Sequence, residues 1–406
     1  MKRIVCTLAA TLLAAPVAHA ANYGTDLNNT MLPATGGMGG ASVARTIEGA
    51  AAVFGNPATL TEYNQGTSFS FGATYYNVDV EASHNGGDTG VPWSAESKAD
   101  EYLVPTIAIT HAFNPQLVVG LGLTAQSGIG SDFRDTPGSL DPDSELLVFM
   151  ANAGVGYKVT DNLSLGAMAT IANGFLQMGL SANTASTHGF GIRGTFGAKY
   201  DMGATSVGAY YRSPLKIEYD DFVDNGGPIG PGQGNFWSVD VEQPQEFAVG
   251  VANNSLMGGN LLISADIIYK DWSSADLYKD FYRDQTVFAI GAQLTTGAAK
   301  WRIGYSYARD PIKRNVGSSI GGVPSMGLPG GGTLILTPSL VQYFQATNTE
   351  AIWEDQISAG FGYQLTDKIS LDSHVAFALK NKDDIGNTEV EASTWQVGAG
   401  LTWSFK

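Results

Sequence analysis

The sequence predicts an all-β protein, a 14-stranded antiparallel transmembrane β-barrel with an N-terminal hatch (plug) inside the lumen. Three observations predict it. Segments alternate apolar and polar residues with a period of two from Thr67 to the chain end. Their connections switch regularly between short turns and long loops. Charged residues make up only 15% of the 406, and 51 are glycine. Soluble domains carry roughly 25% charged residues, so this chain needs a large surface that does not face water.

The leader comes first. Lys2 and Arg3 precede the apolar run Ile4 to Ala15, and Ala18-His19-Ala20 supplies a small-x-small cleavage site. That pattern reads as a signal peptide over 1–20, removed on export. The sole cysteine, Cys6, lies within it. The exported chain therefore has no disulfide and no thiolate metal site. No later apolar run approaches the ~18 residues of a membrane helix. The net charge of −16 disfavours nucleic acid.

Residues 21–62 read as the hatch. The stretch Gly36 to Ala58 is small, Gly- and Ala-rich and nearly uncharged. It cannot bury enough surface to fold alone. Its glycines let backbone pack against backbone, and Asn56-Pro57 ends it, since proline biases its predecessor away from the helix region. Ala51, Ala52, Val53 and Phe54 form an apolar knot that a flexible linker would lack.

Residues 63–406 read as the barrel. Phe69, Phe71, Ala73 and Tyr75 alternate with Ser68, Ser70, Gly72 and Thr74. In the last segment Trp395, Val397, Ala399, Leu401, Trp403 and Phe405 point one way, and small or polar residues the other. The repeat recurs in about fourteen segments near the ~9–11 residues a tilted membrane strand needs. A soluble sandwich alternates too, so the connections decide. Short turns are expected at Asn114-Pro115, Asp161-Asn162, Asp201 to Gly203, Ser255 to Gly259, Thr296 to Ala298 and Thr366 to Lys368. Long loops are expected over 81–103, 128–145, 171–189, 218–245, 271–286, 310–354 and 380–393. Six short and seven long connections fit an up-and-down barrel with both ends on the short-turn side. Greek-key links have no such asymmetry. Loops 218–245 and 310–354 are Gly- and Pro-rich and show no helix period. Within the second, Thr333 to Gln345 is apolar, either an exposed landing patch or a loop folded over the mouth.

The run closing on Asn56, Pro57 and Ala58, followed at once by a strand, resembles the N-terminal hatch of the FadL family. These are outer-membrane transporters of long-chain fatty acids and aromatic hydrocarbons. Tyr211-Arg212-Ser213-Pro214, Gln245 to Gly250, Asp266 with Tyr269 and Asp271-Trp272-Ser273, and Arg302 to Tyr307 carry the likeness through the rest of the chain. The resemblance implies that Tyr23, near the exported N-terminus, reaches into the ligand pocket. It implies that ligand displaces this segment, and that the third strand, here Leu117 to Gly128, kinks to leave a gap in the wall. Gly128 and Gly130 are the candidates for that bulge. The ending Trp403-Ser404-Phe405-Lys406 is close to the aromatic terminus that barrel assembly machinery recognises.

Strand parity turns Arg193, Lys199, Arg212, Lys216, Asp266, Lys270, Arg302, Asp372 and His374 inward. Most of these charges read as salt bridges tying strands to the hatch. Arg193, Arg212 and Arg302, with Phe54, are candidates to meet a ligand or its gate. A water-filled pore offers nothing to a greasy solute, because each methylene gains about 0.8 kcal/mol in an apolar site. No GxSxG, P-loop or HExxH appears, and the histidines lack zinc spacing. Asp372 and His374 share a face, so a barrel lipase or protease with its triad at the rim stays an alternative that needs a serine on a neighbouring strand. The chain is read as no enzyme, with no cofactor and no metal. The expected function is passive uptake of hydrophobic compounds, foremost long-chain fatty acids, across the Gram-negative outer membrane. The alternatives are aromatic hydrocarbons or alkanes as cargo, or an adhesive surface barrel. The expected partners are such small molecules, outer-membrane lipid and the assembly machinery, and the expected state is a monomer.

Overall fold

A computed structural model describes residues 29–180, 183–224, 236–327, 333–348 and 352–405. The leader and Tyr23 lie outside the described residues. Fourteen antiparallel strands close into one ring. They are β1 Thr67–His84, β2 Glu101–Ala112, β3 Leu117–Asp132, β4 Pro142–Lys158, β5 Leu163–Leu180, β6 Asn183–Met202 and β7 Thr205–Arg212, followed by β8 Glu246–Leu256, β9 Leu261–Lys270, β10 Gln285–Thr296, β11 Ala299–Ala308, β12 Asp355–Thr366, β13 Ile369–Ile385 and β14 Thr388–Phe405. Closure is long: β1 pairs with β14 from Thr67 opposite Phe405 to His84 opposite Thr388. A closed ring leaves no free edge, the condition for crossing lipid with strands.

Outward side chains form an apolar belt, with Ile192 77%, Phe190 74% and Ile303 67% exposed. In water such a belt would drive aggregation; in a bilayer it is the contact surface. No described helix is long and apolar enough to cross a membrane.

All six short turns lie where the sequence put them. Two of the long loops do not. Over 171–189 the chain stays paired as β5 and β6, and over 380–393 as β13 and β14, joined across Gly386 and Asn387. These hairpins rise above the belt, where polar residues face water and the pattern loses its contrast. Lys216 is another correction. It stands exposed on a hairpin of Leu215–Asp224 and Phe236–Gln243, against Asp240 and Asp276, rather than on an inward barrel face.

Loop 310–354 holds a helix, Pro338–Asn348, that the sequence did not show. Leu340, Val341, Tyr343, Phe344 and Ala346 on it are buried. Of the two expectations for Thr333 to Gln345, the loop folded over the mouth is the one found.

Residues 29–63 lie inside the ring, and the polypeptide there is almost wholly buried. Ala-rich Gly49–Phe54 forms one short helix, as good helix formers should. Pro57–Glu62 forms a 3-10 turn with Pro57 at its start, where the missing N–H costs nothing.

Candidate functional site

The interior divides at mid-height. On the short-turn side, inward glycines make the seat for residues 29–63. A Cβ on Gly304 would meet Gly39 and Met38, one on Gly166 would meet Pro57 and Ala58, and one on Gly208 would meet Val43 and Ala44. Backbone therefore touches backbone across the wall. Polar wall residues complete the fit. Asp266 accepts from the N–H groups of Ser42 (2.6 Å) and Val43 (2.9 Å). Asn152 donates to the Val53 carbonyl (2.8 Å), Thr74 to Met31 (2.7 Å) and Gln396 to Thr30 (2.7 Å). Buried peptide groups need such partners.

Asn56 is the pivot of this seat. Its Nδ2 donates to the Val43 carbonyl (2.8 Å) and to Ala198 on β6 (3.2 Å), while its Oδ1 caps the Ala58 N–H (3.0 Å). One side chain thus joins two parts of the inner segment and the wall. Pro57 sets the turn, and the buried Ala58 fits against the β5 glycine.

Arg302 donates to Asp372 (2.7 Å) and Gln293 (2.8 Å) and is buried. Arg212 donates to Glu246 (3.2 Å) and to the Phe54 carbonyl (2.6 Å). Arg302 is thus committed to the wall, and Arg212 to the wall and the inner segment. Arg193 is buried on β6, opposite Thr170. Phe54 is buried, its ring tip over Gly122.

On the loop side the interior turns apolar. Tyr76, Val78 and Val80 of β1, Leu146, Val148 and Met150 of β4, Ile217 and Tyr219 of the hairpin and Phe344 of the loop helix are buried in one cluster. A narrow apolar cleft of about 30 Å³ runs between Leu146, Leu176, Leu277, Tyr278, Phe281 and Phe344. Burial pushes the Tyr219 and Tyr343 phenols up, so both stay neutral.

The wall beside this chamber is interrupted. β2 pairs with β3 only from Ala112 opposite Val118 to Thr106 opposite Thr124. Above that rung β3 stays paired to β4, with a register shift between Ala125 and Ser127. Ala125, Gln126, Ser127, Gly128 and Ser131 are all buried, without the alternation of a wall strand. The strand has bent inward. Contact with the β1–β2 connection resumes only where Asp132 bonds Lys98 (2.9 Å) and Ser97 (3.0 Å). Five β2 residues, 101–105, therefore have no ladder partner on β3, a slot in the wall's hydrogen bonding roughly 16 Å long. The bulge sits at Gln126; Gly128 and Gly130 keep regular register opposite Leu147 and Glu145. Sequence reasoning missed Gln126 because a bulge needs an extra residue, not a glycine.

A family model described as "Outer membrane protein transport protein (OMPP1/FadL/TodX)" matches residues 11–209, which carry the inner segment and the interrupted third strand. Over those residues the chain is similar to this family. The OmpP1/FadL/TodX fold is also found by structure. The Pseudomonas putida toluene transporter TodX superposes with a TM-score of 0.66 at 18% identity, covering 96% of this chain and 100% of that one. The Ralstonia pickettii toluene transporter TbuX gives 0.62 at 21%, covering 92% and 98%. A Pseudomonas aeruginosa FadL homologue gives 0.65 at 15%, covering 96% and 100%. In sequence, a long-chain fatty acid transport protein of Escherichia coli is 28% identical over 113 residues, 27% of this chain and 25% of that protein.

Proposed function

We propose that this chain is an outer-membrane channel for passive uptake of hydrophobic small molecules, released sideways into the bilayer. One observation carries the reading: an apolar chamber, closed below by a seated segment, stands beside a wall whose strand pairing is broken. Ten methylenes moved through water would cost about 8 kcal/mol relative to an apolar path, so a lateral exit into lipid is the favourable route. In this reading residues 21–62 act as a hatch and 63–406 as the barrel. Tyr23 senses ligand, and movement of the hatch opens the way to the slot. Arg193, buried on β6, is a candidate with Arg212 and Arg302 to meet a ligand carboxylate. Export with a cleaved leader, insertion by barrel assembly machinery and a monomeric state belong to the same proposal.

Long-chain fatty acids are the first cargo and aromatic hydrocarbons the second, in line with the names of the relatives above. Uptake of labelled oleate and of toluene, in cells with and without the gene, separates them. Deleting Gln126 should let β3 continue along β2 and close the slot. We expect that variant to fold and to lose uptake. Undiminished uptake with the slot closed would sink the lateral route, and no uptake of either compound by the unaltered chain would favour an adhesive barrel.

A further inference from the structure

The slot is lined by more than its missing ladder. Gln126 and Ser127 at the bulge are 3% and 0% exposed, and the Gln126 amide oxygen and nitrogen and the Ser127 hydroxyl have no hydrogen-bond partner. The Tyr219 hydroxyl, also buried, has none either. Buried polar groups in native chains are nearly always paired, so unpaired ones clustered at one level need a reason.

Their positions give one. Ser127 pairs opposite Val148, and Val148 opposite Gly174. These three residues form one row across β3, β4 and β5. The Tyr219 oxygen sits against Gly174, where a Cβ would collide with it. Strand spacing puts Ser127 and Gly174 roughly 10 Å apart, on either side of Val148. Hydroxyls and an amide therefore flank an aliphatic patch at the height where the wall opens. No Lys or Arg stands in the row; Arg193 lies four residues from Gly189, the next rung, roughly 13 Å along β6.

We propose that Gln126, Ser127 and Tyr219 form a polar station that selects ligands carrying one neutral hydrogen-bonding head, such as an alcohol, a phenol or a protonated acid, over the corresponding bare hydrocarbon. The proposal rests on the transport reading and sharpens its substrate class. The amide and hydroxyls offer donors and acceptors to a head group. A site built to hydrogen-bond such a group discriminates strongly against an analogue lacking it. The chain of the ligand lies in the apolar chamber, and its head meets the station before leaving through the slot.

The test is equilibrium binding of labelled 1-octanol, octanoate at pH 8 and octane to the detergent-solubilised full chain. Octanol should bind about 10-fold tighter than octane. Ser127→Ala and Tyr219→Phe should each reduce that ratio severalfold and leave octane binding unchanged. Both variants remove a hydroxyl with no protein partner, so neither should lower the temperature at which the barrel loses its heat-resistant mobility on gels. Octane bound as well as octanol, or a ratio untouched by the variants, overturns the station and leaves hydrophobic transport standing. Preference for octanoate over octanol overturns the neutral head. A lowered melting temperature in both variants assigns the hydroxyls a structural role instead. If none of the three compounds binds, the transport reading falls together with the station.

Discussion

The two halves of the barrel interior are both buried, yet they are built from different residues. The short-turn half is glycine, hydroxyl, amide and charge. The loop half is aromatic and aliphatic. The difference follows from what each half holds. The lower one holds polypeptide, whose N–H and C=O groups need partners and whose bulk needs room that only a missing Cβ provides. The upper one holds greasy side chains from the loops, for which area removed from water is the main term. A seat made of many weak polar contacts, each net about 0.5–1.5 kcal/mol, can be exchanged piecemeal. An interlocked apolar core cannot. In the proposed channel, movement belongs to the lower half and ligand affinity to the upper.

The largest effect should come from filling the seat. Gly304→Val places side-chain atoms where Gly39 and Met38 now lie. The inner segment and the valine cannot occupy that space together. The expected result is an assembled barrel that conducts ions in a planar bilayer, or one that fails to assemble. A variant that folds and stays sealed would show that the seat is looser than its contacts imply.

Next is the buried ion pair. Arg302→Met leaves Asp372 uncompensated and should cost about 3–5 kcal/mol, while Arg302→Met with Asp372→Leu should recover most of that. Urea midpoints of the lipid-reconstituted protein read both. Equal losses in the single and double variants would mean that the charges matter for something other than each other. Asn56→Ala ranks below it. Three hydrogen bonds go at once, and the Val43 and Ala198 carbonyls lose a donor, for a cost of about 2–4 kcal/mol. The loss should appear as increased leak as well as a lower midpoint, because Asn56 ties segment to wall. A lower midpoint without leak would move the pivot away from Asn56.

The same contrast explains what could be read from the sequence. Wall strands must keep a period of two wherever one face meets lipid, so Phe69 to Tyr75 and Trp395 to Phe405 announced themselves, and the short turns fell between them. Above the belt that requirement lapses. β13 and β14 continue through Asp383, Asp384 and Glu389 with a polar outer face while Ile385, Val390 and Ala392 are buried, so the apolar-outward pattern of the belt is gone and the stretch reads as loop. The helix Pro338–Asn348 is buried at residues all around it, Val341, Gln345, Thr347 and Asn348 among them, so no polar face marks its period. Most inward charges were legible by parity; Arg212 reaches the inner segment through the Phe54 carbonyl, whereas Arg302 pairs with the wall residues Asp372 and Gln293. Gln126 was not legible, because a register shift is a property of two strands and shows in neither alone. Inner glycines such as Gly398 and Gly400 were visible as small residues. That His374 of the neighbouring strand fills the space above Gly398, and Pro33, hundreds of residues away in sequence, that above Gly400, shows only in the fold.

The smallest expected effect lies outside the membrane and tests whether the upper half is held from above by charge. Lys216 of the hairpin bonds Asp240 (2.7 Å) and Asp276 (3.1 Å), and Lys279 also bonds Asp276. The Asp276 carboxyl is held below its usual range, first by the hydrogen bond from Lys279 and then, against some burial, by that from Lys216. Because the folded-state value is depressed, the contribution to stability is complete above the ordinary carboxylate pKa of about 4. It is lost as pH falls through the lowered value. The groups are largely solvated, so the link is worth at most about 1 kcal/mol and weakens with salt. Hydrogen exchange of Leu215–Ile217 should therefore be flat from pH 7 to pH 5, after correction for intrinsic rates, and speed up below pH 4. In Asp276→Asn that acid step should shrink, while β1 and β14 exchange as before. An acid step of the same size in the variant would mean that apolar packing of Leu215, Ile217 and Tyr219, rather than the ion pairs above them, keeps the hairpin in the chamber.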